Sequence, residues 1–260
     1  MKDYHTHPQI LKQPQLFGDF VEIALKKGVD EICITDHMPL SCCKAKDRIP
    51  AGCVAEYCQK AQELKEAYKG KIRIKCGIEI DFHPSLTSEI EAVLKEGNFD
   101  FVLGSSHLHV LKNPSVFDTC KTRNEYAAAM FENATAAAKS GYFNAIAHPD
   151  MHRWIFTKPD RFPLEDDLYC EARHEDAMEN MLDAIQKGGL FLEINPHFAM
   201  STENPADLYP TPTLLERALK KGIRCSYGSD AHKSEDVGGM LDYLTAASPY
   251  KEALKIWNQS

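Results

Sequence analysis

Short apolar runs alternate with longer stretches of helical composition along the chain, and this alternation restricts the fold more than any other feature. Apolar runs of strand length lie at residues 31–35, 72–80, 100–104, 144–147, 190–194 and 224–227, and a more polar run that we also predict to be a strand lies at residues 2–7. Most of them lack the polar–apolar alternation of a half-exposed strand, which is typical of buried parallel strands. Helices are predicted between and after them, at residues 19–27, 54–68, 88–95, 124–139, 175–187, 212–221 and 238–247.

A strand followed by a helix, repeated about seven times, indicates a parallel sheet with right-handed crossovers. We predict an α/β fold with a closed or nearly closed barrel of parallel strands, in one domain over residues 1–260. An open doubly wound sheet is the alternative. Irregular stretches at residues 39–52, 149–173 and 195–212 follow strands and are expected to form active-site loops.

Composition and short motifs exclude several functions. The net charge is −8 and Lys and Arg are not clustered, which argues against a nucleic-acid scaffold. An apolar run of signal or membrane-spanning length is absent from the sequence, so we expect a cytoplasmic protein without a membrane partner. No GxGxxG or GxxxxGK[ST] follows a strand. Nine cysteines without a CxxC pair are expected to be reduced thiols, including Cys42 and Cys43.

Residues that bind metals lie at the ends of nearly all predicted strands. His5 and His7 alternate along the first run, so a strand turns both imidazoles to one face. In a parallel barrel the carboxyl ends of the strands meet at one rim, where barrel enzymes place their chemistry. We therefore predict a polynuclear metal site there. Its candidate ligands are His5, His7, His37, Glu79, His107, His148, Asp230 and His232.

Six motifs at these ends occur in an order that resembles the PHP family, named for polymerase and histidinol phosphatase. They are HxH, DHxP, GIE, SSH, AHP and GSDAH, and they extend over nearly the whole chain. The TDHMPL segment and the GSDAHK-x4-VG ending are most similar to histidinol-phosphatase-type members. This resemblance implies a distorted (β/α)7 barrel.

The resemblance also implies how the ligands share the metal ions. One ion would be held by His5, His7, Glu79 and Asp230. Glu79 would bridge to a second ion on His107 and His148, and a third would lie on His37 and His232. Similar proteins carry a further histidine or acid after the HxH pair, where this chain offers only Gln13 and Gln15. We therefore expect two or three divalent ions, and the ligand types allow Zn, Mn or Fe.

The expected function is that of a metal-dependent phosphomonoester hydrolase similar to histidinol phosphatase, acting on a small phosphorylated substrate. A hydroxide that bridges two metal ions would attack phosphorus, and the ions would neutralise the charge that develops. Glu79, Asp230 and His232 are the candidate catalytic residues. The alternatives are a phosphodiesterase acting on small nucleotides and a non-catalytic, metal-binding regulatory protein.

Candidate substrate-binding residues lie near the same rim. Arg153 follows the fifth strand and offers two parallel donors to phosphate oxygens. His109 and His197 lie within a few residues of strand ends. Residues 195–200 differ from the basic residue and Ser-Gly pair of similar proteins, which leaves the identity of the phosphoester open. Asp36 and Asp81 are expected to orient ligand imidazoles from behind.

Overall fold

The computed structural model describes residues 1–40, 47–112, 115–162, 164–165 and 167–259. Seven parallel strands form one sheet in sequential order, a nearly closed barrel surrounded by helices, which confirms the predicted fold. Cys42 and Cys43 lie outside the described residues, and the seven described cysteines are free thiols. The strands are β1 (Lys2–Thr6), β2 (Glu31–Ile34), β3 (Arg73–Asp81), β4 (Phe101–Ser105), β5 (Ala145–Ile146), β6 (Phe191–Ile194) and β7 (Cys225–Tyr227).

The predicted helices are present, and four further α-helices occur within the described residues. Three of these are single turns or little more, in the loops after β4, β5 and β6, and they are too short to show a helical period. The helices are α1 (Phe17–Lys26), α2 (Val54–Ala67), α3 (Thr87–Glu96), α4 (Val116–Thr119), α5 (Arg123–Ser140), α6 (His152–Ile155), α7 (Glu175–Gly188), α8 (His197–Thr202), α9 (Pro212–Lys220), α10 (Leu241–Ala246) and α11 (Tyr250–Trp257).

Local chemistry defines several helix ends. Thr122 begins α5 with a capping box, in which its hydroxyl accepts from Glu125 N while the Glu125 side chain accepts from Thr122 N. Helix α9 begins with a Thr211 cap and a proline at its first position. Helix α7 ends one residue beyond the predicted residue 187, and Gly189, which has positive φ, follows its last residue. No described helix is both long and apolar enough to cross a membrane.

The barrel closes where β1 meets the segment that follows β7. Thr6 forms a parallel bridge with Ala231. His7 N donates to Ala231 O at 2.8 Å, and Asp230 N donates to His5 O at 2.8 Å. Because these backbone bonds join the first strand to the last, they place the first two histidines directly beside Asp230.

Asp3 holds this junction together from inside the protein. Its side chain is fully buried. Oδ1 accepts from Ser229 N at 2.8 Å, and Oδ2 accepts from Gly238 N at 3.0 Å. Burial raises the pKa of Asp3, and the backbone donors oppose that rise. One carboxylate therefore satisfies backbone groups on the far side of the closure.

We predict that Asp3→Ala lowers the free energy of unfolding by about 2 kcal/mol or more, because it leaves buried N–H groups without an acceptor. Urea unfolding followed by circular dichroism measures the loss. Asp160→Ala, which removes an exposed carboxylate, is the matched control and should unfold close to wild type. Equal unfolding midpoints for Asp3→Ala and wild type would contradict the assigned role.

Candidate metal centre

Glu79, near the end of β3, lies at the middle of the histidine cluster and is fully buried. Its Oε2 atom is 3.4 Å from His5 Nε2 and 3.4 Å from His7 Nε2. Its Oε1 atom is 3.2 Å from His148 Nε2 and 3.7 Å from His107 Nε2. One carboxylate thus faces a different pair of histidines with each oxygen, an arrangement suited to bridging two metal ions.

Asp230 and two further histidines extend the cluster toward solvent. Asp230 Oδ1 is 3.2 Å from His7 Nε2. The rings of His37 and His232 each stack on His7, with centroids 4.3 Å away. His37 Nδ1 also lies 2.7 Å from Glu79 Oε2. The structure therefore brings together all eight residues that the sequence proposed as metal ligands.

Five overlapping triads of these side chains, and of His197, have ligand atoms within 4.8 Å of one another. Several of their buried atoms have no hydrogen-bond partner among the described residues, including His5 Nε2, both His7 ring nitrogens and Glu79 Oε2. An unsatisfied buried polar atom costs about 1–3 kcal/mol, so such a cluster is costly without cations. The donor set of imidazoles and carboxylates fits divalent transition metals. The triads are His5–His7–Glu79, His5–His148–Asp230, His37–Glu79–His107, His7–His37–His232 and His197–Asp230–His232.

Opposite charges offset burial within the cluster. Burial alone would raise the pKa of Glu79, but His37 and His107 hold it well below its usual range. Asp230 behaves in the same way, with His5 as the main opposing group. The two carboxylates are therefore ionised, the form that binds metal.

Glu193, in β6, is a site residue that was not predicted from the sequence. Its Oε1 atom is 2.5 Å from His5 Nδ1, and its Oε2 atom accepts from His148 N at 3.0 Å and from Asn195 Nδ2 at 3.1 Å. A carboxylate behind an imidazole fixes its tautomer and directs the other nitrogen to the metal. A glutamate inside the apolar run LFLEI was the available signal, since charged residues are rarely buried without a partner.

Asp81 and Asp36 differ in what they hold. Asp81 Oδ1 lies 2.7 Å from His107 Nδ1, so it orients that ring as expected, and its other oxygen pairs with Arg48. Asp36 instead accepts from the backbone N–H groups of Gln9 and Ile10, at 2.9 and 3.0 Å. It therefore fixes the loop after β1 rather than an imidazole.

A cavity of about 230 Å³ opens above the metal ligands. His37, His107, Asp230 and His232 form one side of it. The loops after β2, β5 and β6, which were the predicted active-site loops, supply much of the remaining wall. Its other lining residues are Asp47, Arg48, His109, Val110, Met151, Trp154, His197, Phe198 and Tyr209.

The three proposed substrate-binding residues are placed differently. His109 and His197 line the cavity. Burial lowers the pKa of His109 to about 3, so its ring is neutral. Arg153 does not line the cavity: its guanidinium donates to Ala206 O at 3.0 Å and lies over the ring of Tyr209, 5.0 Å from the centroid.

The comparisons with known proteins agree in family and fold. The model of the PHP domain family matches residues 3–197. A Deinococcus radiodurans protein named "Probable histidinol-phosphatase" is 30% identical over 230 residues, which cover 85% of this chain and 81% of that protein. The histidinol-phosphatase of Bacillus subtilis is 27% identical over 244 residues, covering 84% and 88%. The structure of the Lactococcus lactis histidinol phosphate phosphatase, complexed with Zn, L-histidinol and phosphate, is similar in fold, with a TM-score of 0.73, 22% identity and coverage of 95% and 93%.

We predict that Glu193→Gln weakens metal binding by about 10- to 100-fold, because the neutral amide no longer supports the imidazole of His5. Equilibrium dialysis against Mn²⁺ or Zn²⁺, followed by metal analysis, measures the change. Glu216→Gln, an exposed substitution of the same type on α9, should bind metal as wild type does. An unchanged dissociation constant in Glu193→Gln would show that the carboxylate has no such role.

Divalent metal should also stabilise the fold. An ion that binds only the folded chain at 100 times its Kd adds about 2.7 kcal/mol to the free energy of unfolding. We expect the Tm in calorimetry to rise with free Mn²⁺ or Zn²⁺ and to fall after chelation. An equal concentration of Na⁺ is the control and should leave the Tm unchanged. A Tm that neither Mn²⁺ nor Zn²⁺ raises would argue against a metal centre.

Proposed function

The chain belongs to the PHP domain family and is a metal-dependent phosphatase, and we propose that it hydrolyses small phosphomonoesters at a cluster of two or three divalent metal ions. The comparison with the Deinococcus radiodurans protein and the family match carry the family assignment. The proposed ligands are His5, His7, His37, Glu79, His107, His148, Asp230 and His232.

The position of Glu79 is the observation that best supports this proposal. A buried carboxylate with different histidines at its two oxygens can hold two ions side by side. Divalent ions in such a site lower the pKa of bound water and neutralise charge on phosphoryl oxygens. A phosphate dianion could therefore bind to a protein whose net charge is −8.

The residues around the cluster have separate tasks in the proposed reaction. Asp230 accepts from Asn195 Nδ2 at 3.3 Å, which orients its carboxylate toward the His7 side of the cluster. His197 N donates to Asn195 Oδ1 at 2.9 Å, and the His197 ring lies 5.5 Å from that of His232. We assign to the His197 ring the delivery of a proton to the leaving oxygen, because it faces the cavity beside Asp230.

The cavity suits a small substrate with an apolar or flat group. Trp154, Tyr209 and Phe198 form an aromatic part of its wall. Histidinol phosphate, the substrate named for the relatives, has an imidazole that could pack there, and His109 would contact it. Because Arg153 is joined to backbone carbonyls and lies over Tyr209, we propose that it positions this wall rather than gripping phosphate directly.

We expect the purified chain, loaded with Mn²⁺ or Zn²⁺, to hydrolyse p-nitrophenyl phosphate and histidinol phosphate. Asp230→Asn and His107→Ala should each lower kcat by about 100-fold or more, since each removes charge stabilisation at the reacting phosphoryl group. Steady-state kinetics with a panel of phosphomonoesters measures the effect and ranks the substrates.

Asp19→Asn, an exposed change on α1, serves as the matched control and should retain wild-type kinetics. A diester such as bis-p-nitrophenyl phosphate tests the alternative activity: a preference for the diester would assign the chain as a phosphodiesterase. Metal-loaded wild type that hydrolyses neither ester would instead indicate a metal-binding regulatory protein.

A further inference from the structure

We propose that Asp47, which lies beside His37, supplies a carboxylate ligand to the ion at the third metal position. This inference rests on the proposed function, because it concerns the same metal cluster. Similar proteins carry a further histidine or acid in the segment after β1. This chain has Gln13 there, which is half-buried, and Gln15, which is exposed. Asp47 lines the cavity, and neither glutamine is among the described residues that line it.

The geometry joins Asp47 to His37. The two ring nitrogens of His37 face different carboxylates: Nδ1 faces Glu79, and Nε2 lies 4.0 Å from Asp47 Oδ2. Metal–ligand bonds of about 2.1 Å allow two ligands of one ion to be up to about 4.2 Å apart. A single ion can therefore lie between these atoms. Asp47 Oδ1 is buried, and none of the described residues donates a hydrogen bond to it.

The backbone fixes Asp47 beside His37. His37 forms a parallel bridge with Arg48, and Ile49 N donates to His37 O at 2.9 Å. The Arg48 side chain is buried, donates to Met38 O at 3.1 Å and pairs with Asp81. A carboxylate that precedes such an anchored residue is held near its partner before any ion binds, which reduces the entropy lost on binding.

The segment after β1 has a different task in this chain. Gln9 N and Ile10 N donate to the Asp36 carboxylate. Lys12 Nζ donates to Arg48 O at 2.6 Å. This segment therefore supports the backbone that carries Asp47. The loop after β2, rather than the segment after β1, then supplies the third ligand.

Charge and exposure predict how the third ion would behave. His37 and His232 are neutral as ligands, so a carboxylate adds the negative charge that a third cation needs beside two others. The Asp47 side chain is 40% exposed, while that of Glu79 is fully buried. The ion on Asp47 should consequently be the weakest bound and the easiest to exchange.

Metal titration of the full chain tests the proposal. Wild type and variants are dialysed against a range of free Mn²⁺, and the ions bound per chain are measured by elemental analysis. We expect Asp47→Asn to weaken the last ion by about 10-fold or more and to leave the tighter ions unchanged. Asp47→Glu should retain a third ion, and Asp19→Asn should match wild type. Circular dichroism of each variant in chelator verifies the fold.

The outcomes separate this inference from the proposed function. If Asp47→Asn binds its last ion as wild type does, or if wild type binds only two ions, Asp47 is not the ligand. A change confined to the KM of substrates that carry an ammonium group, with metal binding intact, would assign Asp47 to substrate recognition and overturn the proposal. An Asp47-dependent ion in a protein without esterase activity would support the ligand and contradict the function.

Discussion

The structure depends on one unfavourable arrangement, which is a fully buried carboxylate among imidazoles from several strands. Glu79 is surrounded by His5, His7, His107 and His148, and a buried charge of this kind is tolerated only when paired and coordinated. The barrel provides such surroundings because parallel strands end at one rim. The ligands therefore come from residues that are distant along the chain, and the centre exists only when the barrel is closed.

The closure of the barrel and the geometry of the metal site consequently depend on the same contacts. The backbone bonds that join β1 to the segment after β7 also set the distance from His7 to Asp230. Two residues of the centre, His148 with φ of 25° and Asp230 with φ of 56°, have backbone conformations that cost about 1–3 kcal/mol each for a residue with a side chain. Their N–H groups are held by Glu193 and by His5 O, so tertiary contacts stabilise both conformations.

The sequence predicted most of the fold and the eight candidate ligands of the central cluster, because both follow from short-range patterns. Strand runs, helix composition and the type of residue at a strand end are visible without knowing any contact. The roles of Glu193 and Asp47 are not visible in the sequence. They depend on which face of β6 meets His5 and on the pairing of a loop with His37. The position of Arg153 also could not be predicted, because the carbonyl that it contacts in residue 206 lies some fifty residues later in the chain.

The centre has an outer set of carboxylates that act through the histidines. Glu193 contacts His5 and Asp81 contacts His107, each on the nitrogen opposite to the one that faces Glu79. Asp81 is in turn neutralised by Arg48, the loop residue whose backbone forms the bridge with His37. A loop that lines the cavity is thereby connected to the His107 imidazole through one buried ion pair. Substitutions at Arg48 would therefore disturb the loop and the His107 imidazole together. Trp154 and Phe198 line the same cavity and take no part in this ion pair, so we expect substitutions there to change the cavity with less effect on the metal cluster.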